Sequence, residues 1–276
     1  MQRIVVGVDG STNATDALAW ATAVAEGVGA GVVAVTAFDK PSIEVPPEDR
    51  HQLRAEREAE LDRWIAAVDG TAEVRRVVSD GDPRQVILGE ALATAADLVV
   101  LGHAGASGGP GFLHLGSVVE YAAHHTAVPL AVIPAGWRSP PERVVIGVDG
   151  SAESLAAIAW ASSMAPLQPA VTAVQVAEPL LEWTPASSPD NWRRGVERDL
   201  AQWTTPLTEA GLSTTVVAKR RLHPADGLLA VAEERAADLL VVGTRGLGGF
   251  RGLRAGGVAL KILHRTGLPL VLVPVP

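Results

Sequence analysis

Short apolar runs alternate along the chain with longer stretches in which apolar residues recur every three or four positions. In the first half the runs Ile4–Val8, Val32–Ala37, Ala72–Val78, Leu98–Leu101 and Leu130–Ile133 read as strands. They are rich in Val, Ile and Leu and read as apolar throughout, the pattern of parallel strands covered by helices on both faces. Between them, 14–26, 48–68, 84–93 and 118–126 carry helical periodicity, and Pro83 and Pro224 sit where a first helical turn tolerates proline. The second half repeats the order, with strands at Val144–Val148, Val171–Val176, Thr214–Ala218, Leu239–Val242 and Leu270–Val273. Such alternation predicts an α/β fold with a doubly wound, mostly parallel sheet and right-handed crossovers, Rossmann-like in outline.

The repetition extends to single residues. Gly7, Asp9 and Trp20 recur 140 positions later as Gly147, Asp149 and Trp160. Pro83, Asp97 and Gly102 recur at 141 as Pro224, Asp238 and Gly243, and Gly116, Pro129 and Pro134 return to 140 as Gly256, Pro269 and Pro274. A period this long marks duplicated domains, since solenoid units are far shorter. The expected division is domain one over 1–135, a linker over 136–142 carrying Gly136, Pro140 and Pro141, and domain two over 143–276. Each copy is expected to hold five strands. Trp20 and Trp160 fall on an alanine-rich helix face and read as core.

Composition narrows the function classes. The 276 residues suit two domains, and 47% hydrophobic with 20% charged residues is globular. A net charge of −8 argues against a nucleic-acid partner, whose backbone demands clustered cations. The longest apolar stretches are too short to span a membrane, no secretory leader is recognised, and cysteine is absent. These features predict a cytoplasmic protein.

The candidate chemistry lies in glycine-rich loops after the fourth strand of each copy. Gly102, Gly105, Gly108, Gly109, Gly111 and Gly116 punctuate the first, and the second is denser, from Gly243 and Gly246 to Gly256 and Gly257. Glycines let the backbone approach a phosphate closely, and a helix N-terminus behind them favours an anion. Each loop follows a strand's carboxyl end, where open α/β sheets bind ligands. Neither contains Gly-x-x-x-x-Gly-Lys-[Ser/Thr], which argues against a P-loop NTPase. The dinucleotide fingerprint is missing after the first strand, so Asp39 alone is weak support for NAD. Ser117 is placed to cap the following helix and to donate to a phosphate. Asp9 and Asp149 suit either helix capping or ligand contact.

Strand–Asp-Gly-Ser at the start of each copy, Gly-x2-Gly-x9-Gly-[Ser/Thr] after strand four, and a closing Pro-Leu-x-Val-x-Pro strand together resemble the universal stress protein family over essentially the whole chain. The resemblance implies two tandem five-stranded domains of the adenine nucleotide alpha hydrolase-like type, binding ATP with or without Mg2+. Carried over position by position, it implies that Asp9, Gly10 and Ser11 lie near adenosine and that Val35 flanks adenine. Gly102, His103, Gly105, Gly116, Ser117 and Val118 would line ribose and phosphates. In the second copy Asp149, Gly150, Ser151 and Val174 take the first set of roles, and Gly243, Arg245, Gly246, Gly256, Gly257 and Val258 the second. Family members commonly pair through the last strand, which implies an intramolecular pseudo-dimer of the two domains and allows a homodimer.

Both copies depart from the motif. Copy one has ten residues, 106–115, where nine are expected, with Pro110 among them, and a bulge is expected there. Copy two has nine, 247–255, but Gly257 replaces the hydroxyl residue, with Arg245 expected to compensate at a phosphate. The expected function is regulatory nucleotide binding without catalysis or a resident metal. The alternatives are a slow ATPase or nucleotidyl-transfer enzyme, and a nucleotide-free interaction scaffold. His114, His124, His125 and His264 read as surface or packing residues, and Lys219-Arg220-Arg221 as a solvated strand end. The segment 178–192 reads as a long loop with buried aromatics rather than a lid.

Overall fold

The computed structural model describes residues 1–38, 47–105, 115–177, 189–246 and 255–275. The chain divides into two compact units, Met1–Pro140 and Pro141–Pro276.

In the first unit the order is β1 (Arg3–Gly7), α1 (Thr12–Val28), β2 (Gly31–Phe38), α2 (Pro47–Ala66), β3 (Val74–Asp80), α3 (Pro83–Ala93), β4 (Leu98–Gly102), α4 (Ser117–His125) and β5 (Leu130–Ile133). The strands lie in the order β3-β2-β1-β4-β5, and every pairing is parallel. From β1 the chain winds outward through β2 and β3, then returns to the other side of β1 for β4 and β5. Right-handed crossovers therefore put α1 and α2 on one face and α3 and α4 on the other. The reversal leaves a crevice beyond the carboxyl ends of β1 and β4, the place where such sheets bind ligands.

Burial explains the central strands. Ile4, Val5 and Val6 of β1 and Leu98, Val99 and Val100 of β4 are fully buried, as strands covered on both faces must be. The edge strand β3 is not apolar throughout: Arg75 and Arg76 reach solvent and pair with Glu90 and Asp62. Such charges also discourage edge-to-edge association. α1 is capped at its start by Ser11 and stopped by Gly29, whose φ of +71° suits glycine. Trp20, on its inner face, is buried.

The second unit repeats this plan with β6 (Arg143–Gly147), α5 (Ala152–Ser162), β7 (Ala170–Ala177), α6 (Pro189–Trp203), α7 (Thr205–Glu209), β8 (Thr214–Arg220), α8 (Pro224–Glu234), β9 (Leu239–Gly243), α9 (Gly257–Leu263) and β10 (Leu270–Val273). Its strand order is β8-β7-β6-β9-β10, again parallel. α5 is shorter than its counterpart α1 and gives way to a single 3-10 turn at Ala165–Leu167 containing Pro166. Two residues of the basic run at the end of β8 are engaged, Lys219 pairing with Glu234 at 2.6 Å and Arg220 lying 4.5 Å over the Trp192 ring, whereas Arg221 is exposed.

Two repeated aspartates anchor the sheets. Asp97 accepts from the amides of Gln2 and Arg3 at the head of β1, and Asp238 accepts from those of Glu142 and Arg143 at the head of β6. Burial pushes the Asp238 carboxyl up, and its amide donors partly oppose this. Part of the stretch read as a linker is held to unit one: the buried Asp16 carboxylate of α1 accepts from the Gly136 amide at 2.7 Å and Arg138 Nε at 2.6 Å. Among the described residues no helix is long and apolar enough to cross a membrane.

Candidate functional site

In each unit a cavity opens at the strand-order reversal, of about 620 Å³ in the first and 570 Å³ in the second. Both volumes fall in the range typical of small-molecule sites.

The floor begins where β1 ends. Ser11 donates to Asp9 Oδ1 from its amide at 3.0 Å and its hydroxyl at 2.6 Å, and its oxygen accepts from the Ala14 amide at 3.2 Å. Ser11 is thus the helix cap, and Asp9 orients the cap from two positions before it. Asp149 and Ser151 repeat the arrangement, with Ser151 accepting from Ser154. The intervening glycines are sterically required. Gly10 has φ +79°, and a Cβ there would stand 2.4 Å from Trp64 of α2; Gly150 has φ +82° and faces Trp203 at 2.8 Å.

The opposite wall is the glycine loop. A Cβ on Gly102 would lie 2.6 Å from the Asn13 backbone, and one on Gly105 would lie 2.6 Å from Asp9 Oδ2. At the loop's neck the Gly116 amide donates to the His103 carbonyl at 3.0 Å, and the Asn13 side-chain amide donates to Ala104 O. In the second unit the Gly256 amide donates to Thr244 O at 2.7 Å. The place of Asn13 is taken there by Glu153, whose carboxylate meets Arg245 at 2.7 Å. One position of the first helix therefore holds the loop in both copies, by a neutral hydrogen bond in one and an ion pair in the other. Arg245, expected at a phosphate, has this carboxylate as its partner and remains about a third exposed.

Of the residues singled out in the first copy, Asp9, Val35, Gly102, Gly105, Gly116, Ser117 and Val118 line the cavity. Gly10, Ser11 and His103 do not: Gly10 faces Trp64, the Ser11 hydroxyl serves the Asp9 turn, and His103 is buried. In the second copy Asp149, Val174, Gly243, Arg245, Gly246, Gly256, Gly257 and Val258 line the cavity, whereas Gly150 and Ser151 lie outside its wall. Ser117 is the first residue of α4 rather than its cap, which is Gly116. Its hydroxyl has no hydrogen-bond partner among the described residues, and the first amides of α4 lack intrahelical acceptors. The inserted position with Pro110, the side chain of His114, Asp39, and 178–188 of the proposed long loop lie outside the described residues. Among those described, no cluster of acids and histidines could hold a metal.

Sequence reasoning missed one wall entirely. The start of α3 contributes Asp82, Pro83 and Arg84 to the first cavity, and the start of α8 contributes His223 and Pro224 to the second, where Lys261 of α9 also faces the space. Arg84 grips Asp82 through Nε and Nη2 at 2.6–2.9 Å, and this holds the Asp82 carboxyl below the usual carboxylate range. The repeated prolines 83 and 224 were the available signal, because they mark helices whose first turns meet the same crevice.

Comparison with known proteins agrees with this architecture. A structure from Archaeoglobus fulgidus DSM 4304, described as a universal stress protein, superposes with a TM-score of 0.69 at 20% identity, covering 99% of this chain and 98% of its own. That likeness concerns the fold. A universal stress protein of Mycobacterium bovis is 30% identical, with 99% of this chain and 95% of its own covered. One from Mycobacterium tuberculosis H37Rv is 29% identical, with 97% and 95% covered. The family model described as "Universal stress protein family" matches twice, over residues 1–134 and 141–274. With both halves matched almost end to end, the chain belongs to the universal stress protein family.

Proposed function

We propose that the protein is a non-enzymatic, ATP-binding regulator whose ligand state alters its conformation or its choice of partner. The observation that carries this reading is the pair of matched cavities, each at a strand-order reversal and each walled by a glycine loop packed closely against the start of the first helix and the strand-end aspartate. At Gly105 a Cβ would lie 2.6 Å from Asp9 Oδ2 and collide with that carboxylate. The same position in the second copy, Gly246, would put a Cβ 2.4 Å from Asp149 Oδ2. Only bare backbone fits between the loop and the acid, which suits close approach to a ribose and its phosphates. Adenosine would lie against Asp9 and Val35, with phosphates toward Gly105, Gly116, Ser117 and Val118. The α4 N-terminus and the Ser117 hydroxyl add donors for negative charge there.

Mass spectrometry of the small molecules released by denaturing the purified protein tests the proposal. Co-purified ATP, or saturable ATP uptake by the emptied protein, is the expected result. ADP or AMP accumulating with turnover would favour a slow hydrolase instead. No retained nucleotide together with no uptake would leave an interaction scaffold as the better reading.

A further inference from the structure

The two cavities differ most at the corner formed by α3 and α4 in one unit and by α8 and α9 in the other. In the first, the cation is Arg84, already gripped by Asp82, and its guanidinium lies 5.4 Å over the Tyr121 ring. That corner therefore offers a ligand a neutralised pair. In the second, Ala225 stands at the repeat position of Arg84, His223 at that of Asp82, and Lys261 at that of Tyr121. Lys261 lines the cavity, its side chain is exposed, and no carboxylate lies within ion-pairing distance of it among the described residues. The neighbouring carboxylate, Asp226, is hydrogen-bonded by Arg265 and feels the Lys261 charge only at longer range. The duplicated sites thus share a floor but not a charge.

From this we infer that Lys261 gives the second site a stronger preference for phosphate charge than the first: it favours nucleoside di- and triphosphates over the nucleoside by a wider margin. The inference rests on the adenine-nucleotide reading above. An exposed ammonium attracts a polyphosphate by a charge-assisted, salt-screened interaction and leaves an uncharged nucleoside untouched. Gly257, which offers no hydroxyl, is offset by a cation one helical turn further along α9.

Photolabelling with 8-azido-ATP and 8-azidoadenosine, followed by peptide mapping, reads the halves separately. In the wild type, the triphosphate should half-saturate second-half peptides at several-fold lower concentration than the nucleoside, and the ratio between the two probes should be smaller in the first half. Lys261→Gln should raise the triphosphate concentration needed by the second half about fivefold to tenfold, a size typical of one partly screened charge-assisted contact. It should leave the nucleoside within about twofold, and Lys261→Arg should preserve the discrimination. Equal shifts for both probes, or none, with labelling intact would overturn the inference and leave nucleotide binding standing. Failure of both probes to label either half would overturn both.

Discussion

Substituting Gly10 by alanine separates two physical costs that the structure places at one residue. Its φ of +79° is a left-handed conformation, which costs an L-residue about 1–2 kcal/mol. A Cβ built there stands 2.4 Å from Trp64 Cζ2 and 2.8 Å from Cε2, inside contact distance of a rigid ring. Overpacking of that kind adds about 1–3 kcal/mol, for a total of about 2–5 kcal/mol. Gly29 is the control: its φ is +71°, and nothing lies within 4 Å of an added Cβ, so Gly29→Ala bears only the conformational cost. The stiffer unfolded chain of alanine offsets both variants alike. Urea unfolding followed by far-UV circular dichroism, fitted with one transition per unit, measures the difference. Adding Trp64→Ala to both variants should erase the excess for Gly10→Ala. A Gly10→Ala penalty no larger than that of Gly29→Ala, or one that survives removal of the indole, would refute the steric account.

Other outcomes are expected. Ser117→Ala should leave stability within about 0.5 kcal/mol, because its hydroxyl caps nothing, yet weaken ATP binding at the first site several-fold, the worth of one hydrogen bond. Gly257→Ser should strengthen the second site in the same calorimetric titration. Asp16→Ala should destabilise the first unit by about 1–3 kcal/mol, since it removes the charged acceptor that ties the Gly136 amide and the Arg138 guanidinium to α1; equal melting of variant and wild type would contradict this. Because Arg84 holds the Asp82 carboxyl below its unfolded value, the stability it contributes is present above about pH 4 and lost as pH falls through the folded value. The stability gap between wild type and Arg84→Gln should therefore be constant near neutrality and close in acid.

Much of the fold was legible because its signals are local. Apolar runs placed β1, β4 and β5 and their counterparts within a residue or two, and the repeat marked Asp97 with Asp238 and Pro83 with Pro224. The edge strands were misread as uniformly apolar, since only pairing order decides which strand meets solvent, and Arg75 and Arg76 follow from that order. The capping roles were shifted by the geometry of a tight turn. Asp9 was the plausible cap, but Gly10 turns the chain so that Ser11 reaches the helix and Asp9 braces Ser11. The α3 and α8 wall, like Lys261, was hidden because the crevice gathers residues far apart in the chain. Nothing local in Asp82-Pro83-Arg84 shows that it faces Gly105.

Calorimetric titration of ATP into the nucleotide-free protein tests the central claim most directly. The account predicts two binding events per chain with unequal affinities. Gly105→Val should suppress one of them and Gly246→Val the other, because each side chain would collide with its aspartate and push the loop and the acid apart. Heat of dilution alone, or binding that neither glycine variant alters, would contradict it.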